Sequence, residues 1–416
     1  MKSPHGPFWR QVITVLSGSF VAQLLPIAAA PLITRLCTPE DIGNFSVWLG
    51  VVSAAAVAAT LRLETAMILD RDEAEQATCF GIVAYAASAL AGTLALLVVG
   101  ARLSGLPLSL RMPWVALLSV GPAIWLNAYI STTLAYATSH NAFGKAARAK
   151  IWCAGTIAAL QVGLLLAGAG GAALFAGQLL GLLTGLVSAQ VLLAPPRARL
   201  GLRLDARARA YLDKHSNFLR FTLPSDLLSS IIGQLPLLMI GLQFGALEAG
   251  LFALTQRVLS APISLLAASV LEVFKRQSVQ DFQALGNCKE SYQYTFKVLF
   301  LIGAGPSLLL FLFAPPLFAL AFGATWRPAG ELASLLSPLY FLSFLGSPLS
   351  YVFYVAGRQR AELFWQLALL GVTATAFVLP TNMHACIVAY ACGRSLLYLV
   401  YLHMSYRYAQ NRLLLV

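Results

Sequence analysis

Apolar stretches of about 18 or more residues, long enough for a helix to cross the hydrocarbon core, recur along this chain from end to end. Hydrophobic residues make up 59% of the chain and charged ones 11%, far from the roughly 25% charged of a soluble domain. The sequence therefore specifies an all-α integral membrane protein. Twelve spans fit, near 11–35, 42–69, 77–100, 113–138, 150–168, 171–194, 218–243, 248–273, 294–314, 330–356, 361–380 and 384–406. The N-terminal apolar run is longer than the roughly 7–15 residues of a signal core, and it reads as a retained first span.

Lys and Arg in short loops set orientation. With twelve spans both termini share one side, which collects Lys2, Arg10, Arg71, Lys145, Arg148, Lys150, Arg197 to Arg220, Lys275, Arg276, Lys289, Lys297, Arg358, Arg360, Arg407 and Arg412. The opposite side holds Arg35, Arg102, Arg111 and Arg327. Both termini are thus expected to be cytoplasmic. The net charge of +12 follows from this topology and brings attraction to anionic lipids. It gives no reason to expect nucleic acid. The basic segment 195–217 divides the chain into six-span halves, 1–194 and 218–416.

The cysteines stand singly, with no CxxC and no nearby histidine pair, so neither a metal site nor a disulfide framework is expected. GxSxG, GxxxxGK[ST] and HExxH are all missing. That leaves no support for a hydrolase or an ATP-driven pump, and no cofactor is expected.

One phrase occurs twice. Asp41-Ile42-Gly43-Asn44-Phe45-Ser46 aligns with Glu248-Ala249-Gly250-Leu251-Phe252-Ala253 at an offset of 207. Each half then opens with a hairpin of long helices, an acid and a glycine at its outer turn. Halves with even numbers of spans share an orientation, so the two are expected to be related by an axis along the membrane normal, as in parallel-repeat transporters. At the first turn, Thr38-Pro39-Glu40-Asp41 carries the signals of a helix start: a Thr cap, Pro at the first position, then acids on the positive helix end. Arg35 suits the C-terminal end of the preceding span. Capping is one reading of Arg35 and Asp41; an outer gate shared with Glu248 is the other.

Several segments resemble, in order, bacterial polysaccharide flippases of the Wzx type, in the multidrug/oligosaccharidyl-lipid/polysaccharide (MOP) exporter superfamily. They are TRLCTPEDIGNF (34–45), LRLETAMIL (61–69), FTLPSDLLSSIIGQLPLLMI (221–240), AGLFALTQRVLSAPISLL (249–266) and FGATWRPAGELASLLSP (322–338). The resemblance implies a MATE-like fold of two six-helix lobes. It also implies transport of polyprenyl-pyrophosphate-linked oligosaccharide repeat units for O-antigen, capsule or exopolysaccharide to the outer leaflet of the inner membrane. Such a carrier works by alternating access through a cationic central cavity. The polysaccharide polymerase and chain-length regulator of the pathway are its expected partners.

Charges inside spans usually face a cavity or a partner. Arg257, about ten residues and so roughly 15 Å into the eighth span, is the leading candidate for binding the pyrophosphate or an acidic sugar, with Arg62 beside it; a structural ion pair with Asp226 that pins spans seven and eight is the other reading. Arg394 in the twelfth span is a third, with a hydrogen-bonding role inside its own half as the other reading. Asp226, Glu64 and Glu272 are candidate counter-charges or coupling-ion ligands. Two positions apart on a helix, Arg62 and Glu64 would point to different partners. Trp48, Trp125, Trp152, Trp326 and Trp365 are expected mostly as interfacial anchors. The rival functions are a drug or cation antiporter on the same fold, which would prefer an acidic cavity, and a polysaccharide polymerase or ligase, which would need a large outer loop. A monomer suffices.

Overall fold

A computed structural model describes residues 6–70, 72–104, 113–196 and 206–410. Among them the secondary structure is helical, with no strand. Contacts divide the chain into two compact units, Met1–Gly250 and Leu251–Val416.

The first unit holds α1 (Gly6–Leu36), α2 (Pro39–Ala59), the short α3 (Leu63–Met67), α4 (Glu73–Leu103), α5 (Trp114–Ser139), α6 (Phe143–Leu166) and α7 (Ala172–Leu193). A short helix α8 (Ala206–Lys214), a π-helical turn at Phe218–Thr222 and α9 (Leu223–Phe244) follow. Then α10 (Ala246–Pro262) begins in the first unit and runs into the second. The rest of the second unit comprises a π-turn at Ile263–Ala267, α11 (Ala268–Leu285), α12 (Lys289–Phe322), α13 (Arg327–Leu349), α14 (Tyr351–Val355), α15 (Gln359–Val378) and α16 (Met383–Gln410).

Ten helical segments of the described residues are long and apolar enough to cross a membrane. The two remaining expected spans correspond to α1, whose shorter apolar stretch is Phe20–Leu36, and to α10, which stops at Pro262 and continues through the π-turn into α11. Proline explains that stop, since it lacks the N–H that an uninterrupted helix needs.

Small residues set the tightest helix pairs, as packing in lipid favours close backbones. On α7, Gly177, Gly181 and Gly185 recur every fourth residue, and a Cβ on them would collide with Gln161, Ile157 and Cys153 of α6 respectively. Between α2 and α9, Gly50 faces the Gln234 side chain. The core of the first unit gathers around Trp48. Its indole N–H donates to the Ala116 carbonyl at 2.9 Å, and its ring stands edge-on to Phe175 at 5.5 Å.

This position corrects the anchor reading for two tryptophans. Trp48 is 1% exposed and Trp326 is fully buried. Trp152, by contrast, is 61% exposed. Indole is large and mostly apolar, so packing claims it wherever neighbouring helices can enclose it.

A second correction concerns the expected span 42–69, which breaks near its end. The Thr60 hydroxyl donates to the Val57 carbonyl at 3.1 Å and accepts the Arg62 backbone N–H at 3.3 Å. Leu61 and Arg62 then turn left-handed, with φ of 53° and 57°. Local hydroxyl bonds of this kind compete with the helical ladder.

Candidate functional site

The left-handed turn builds a charged site in the first unit. Because Arg62 lies outside helical geometry, its guanidinium swings onto Glu64 two residues on, with Nη1 donating to Oε1 at 3.0 Å. Helical spacing would have kept them apart, so the expectation of separate partners fails here. Nε of the same arginine donates to Oδ2 of Asp226, in the first turn of α9, at 2.5 Å. One cation is thus shared by two carboxylates, leaving a cluster charge of −1 when both acids are ionised. Arg62 and Asp226 keep about a third of their side chains accessible, whereas the Glu64 side chain is 9% exposed. Glu64 Oε2 is buried without a hydrogen-bond partner. A vacant acceptor of that kind is costly in a low-dielectric site.

A few residues further on, Asp70 anchors α8. It is 5% exposed and accepts from the Tyr211 hydroxyl at 2.7 Å and from Lys214 Nζ at 3.0 Å, with His215 Nε2 at 3.2 Å. Lys214 also reaches Glu75 at 2.6 Å. Burial alone would raise the pKa of Asp70, but the Tyr211 and Lys214 hydrogen bonds and the charges of His215 and Lys214 outweigh it and hold the carboxyl below its ordinary range. A depressed carboxylate stabilises the fold above its unfolded value, and that contribution is lost as pH falls through the folded one. Asp70→Asn should therefore loosen α8 at neutral pH, seen as faster amide exchange over 206–214. Lowering the wild type to about pH 5 should not, as an unfolded Asp titrates near 3.9. Exchange over α8 that is unchanged by the substitution would count against the anchor.

At the other end of α2, Thr38 caps the helix in a reciprocal box. Its hydroxyl accepts the Asp41 N–H at 3.2 Å, and the Asp41 carboxylate accepts the Thr38 N–H at 3.2 Å. A Cβ on Gly171 would meet the same Asp41 carboxylate, so this acid also lies against the start of α7. Thr38→Ala should lower stability by about 1 kcal/mol, read as a drop in melting temperature in detergent.

The two repeated glycines meet at this end. A Cβ on Gly43 would collide with the Ala246 carbonyl and the Gly250 nitrogen, and one on Gly250 with the Pro39 carbonyl and the Gly43 nitrogen. The first turns of α2 and α10 therefore touch backbone to backbone. Glu248 stands half-buried in the first turn of α10, and Arg35 is exposed in the last turn of α1.

In the second unit, Arg257 is an exposed residue of α10, while the Glu272 side chain lies outside the described residues. Arg394 of α16 donates from Nη1 to the Tyr390 hydroxyl at 3.0 Å, with its guanidinium 5.2 Å from the centre of that ring. The sequence signal for this pairing was present but unread: Tyr390, Arg394 and Tyr398 are spaced four apart and share one helix face.

A family model described as polysaccharide biosynthesis protein matches residues 32–331, well over half of the chain. The chain belongs to the polysaccharide biosynthesis protein family. No curated protein matches this polysaccharide biosynthesis protein, but solved structures do. It is similar to the lipid II flippase MurJ in an inward closed conformation, with 13% identity and a TM-score of 0.72, covering 95% of this chain and 87% of that one. A MOP superfamily transporter from Pyrococcus furiosus shares 15% identity at a TM-score of 0.54, covering 95% and 94%. An outward-facing MATE transporter gives 16% and 0.54, covering 97% and 96%. At these identities the likeness concerns the fold. The polysaccharide biosynthesis protein has the MOP fold and is a multi-pass membrane protein.

Proposed function

We propose that this protein is a flippase. It carries polyprenyl-pyrophosphate-linked oligosaccharide repeat units from the cytoplasmic to the periplasmic leaflet of the inner membrane by alternating access, with both termini in the cytoplasm. The observation that carries this reading is the match to the polysaccharide biosynthesis family on a chain of MOP fold. A family that makes polysaccharide and a fold that transports meet in moving the lipid-linked precursor.

In this reading Arg257 binds the pyrophosphate, for which the guanidinium fork is well shaped. Arg62 takes part through the ion pairs that Glu64 and Asp226 make with it. An incoming phosphate competes with Asp226 for the Nε edge, and the released carboxylates are available to a coupling cation. The lobes 1–194 and 218–416 rock about the segment between them, and Asp41 and Glu248 lie at the outer turns that part. The polymerase and chain-length regulator act on the delivered unit.

The test is depletion of the protein in its host, followed by a membrane-impermeant glycan-cleaving enzyme added to spheroplasts. Lipid-linked units should accumulate and stay protected. Units that appear outside but unpolymerised would move the protein to a later, enzymatic step. Unchanged level and location would favour a drug or cation antiporter, for which the two carboxylates around Arg62 would be the natural cation site.

A further inference from the structure

The break after α2 falls where the chain has every reason to stay helical. Residues 57–67 read VAATLRLETAM, with no glycine or proline, and Ala, Leu, Arg, Glu and Met are among the best helix formers. Yet Leu61 and Arg62 adopt φ of 53° and 57°, the one place among the described residues where two consecutive residues other than glycine are left-handed. Glycine visits that region freely, whereas leucine and arginine do so at a cost of about tenfold in population each. Strain of this kind persists only where surrounding contacts enforce it.

Those contacts converge on Arg62. Its backbone N–H donates to the Thr60 hydroxyl at 3.3 Å, and Thr60 is 2% exposed. Its guanidinium donates to Glu64 at 3.0 Å and to Asp226 of α9 at 2.5 Å. Residues two apart on an unbroken helix lie about 200° apart around its axis, so Arg62 and Glu64 would face opposite ways. The pair and the turn are therefore one unit, and whatever takes Arg62 from its carboxylates removes the support of the turn. Leu63, Ala66 and Met67 are buried. The work of re-seating them keeps the unbroken helix the minor form while the ion pairs stand.

We infer that residues 60–62 are a two-state switch, left-handed while Glu64 and Asp226 hold Arg62 and helical once its guanidinium is released. Thr60 and Leu61 are the positioning residues: the Thr60 hydroxyl caps the turned form, and Leu61 carries part of its strain. The inference rests on the flippase reading, in which the anion that draws Arg62 away is the substrate's pyrophosphate. A ligand shifts a conformational equilibrium only by its difference in affinity for the two states. Here the difference is that the helical form alone parts Arg62 from Glu64. Binding at one side chain thereby changes the backbone of the second expected span.

The experiment uses the full-length protein in lipid nanodiscs, with spin labels on unnatural side chains in place of Val51 and Leu69, both exposed. From 51 to 69 an unbroken helix spans about 27 Å, and the wild type should give a shorter distance. Glu64→Ala with Asp226→Ala removes both acceptors and should make about 27 Å the main component. Thr60→Val should move the distance the same way, and Thr60→Ser should not. Leu61→Gly and Leu61→Ala lose the same packing but differ in left-handed cost, so they serve if the double variant does not fold. Glycine should favour the short distance about tenfold more than alanine and melt no lower. It should also translocate lipid-linked units severalfold more slowly than alanine, because it holds the turn. A fixed structural turn would keep the short distance in the double variant, or leave the glycine and alanine variants equally active. Either result overturns the inference. If depletion leaves the lipid-linked glycans unchanged while the label distances still shift, the flippase reading fails and the switch stands.

Discussion

Arg62→Gln is expected to destabilise the protein by about 3 kcal/mol, the lower range for removing one partner of a buried pair, and to abolish translocation. The neutral amide leaves two carboxylates without their shared cation. Asp226 can turn to solvent through its exposed third, but Glu64 is enclosed, and one of its oxygens already lacks a partner. Most of the loss should therefore come from Glu64. That gives a sharp second arm: Glu64→Gln added to Arg62→Gln should restore much of the melting temperature, since an amide is far cheaper to bury than an unpaired charge. Translocation should stay low in the double variant, because Asp226 still has no cation to release. A double variant no more stable than Arg62→Gln would mean that the two charges do not share one energetic unit. Full translocation by Arg62→Gln would remove the cluster from the transport cycle.

Gly250→Val should have the second large effect. Its side chain would occupy the position of the Pro39 carbonyl, and Gly43 faces Ala246 in the same way. Backbone cannot yield as a flexible side chain does, so the ends of α2 and α10 must separate. Overpacking typically costs 1–3 kcal/mol, and a backbone collision in a pair this close belongs at about 3 kcal/mol or beyond. Gly43→Ala should cost somewhat less. Gly92→Ala is the internal control: nothing lies within 4 Å of a Cβ there, and alanine is the better helix former by about 1 kcal/mol. Melting temperatures of the three variants in one detergent decide the matter. If Gly250→Val melts like Gly92→Ala, the close contact does not hold the folded protein together.

The repeat was legible because its purpose is local and its residue type has no substitute. A glycine four residues after the proline that leads a helix, recurring 207 positions later, marks a backbone that something approaches closely. That the two glycines approach each other could not be read, because the sequence aligns them without placing them. The GxxxGxxxG of α7 was equally visible and went unread within an apolar span. The face of α16 that carries Tyr390, Arg394 and Tyr398 was likewise visible in their spacing of four.

By itself, the sequence determined the solvent, the number of spans, the caps and the repeat, because these follow from transfer free energy and from hydrogen bonds within a few residues. Thr38, Pro39 and Asp41 make their box with one another and need no distant help. Only the tertiary structure decided which charges meet. The sequence groups Arg62 with Arg257 as a cationic site answered by Asp226 and apart from Glu64, yet a two-residue left-handed turn delivers Arg62 both to Glu64 and to Asp226, 164 positions away. Asp70 finds Tyr211 and Lys214 across a comparable gap. In lipid an unpaired charge is so costly that each seeks a partner wherever the fold supplies one, and that choice depends on helix packing, which no stretch of sequence contains.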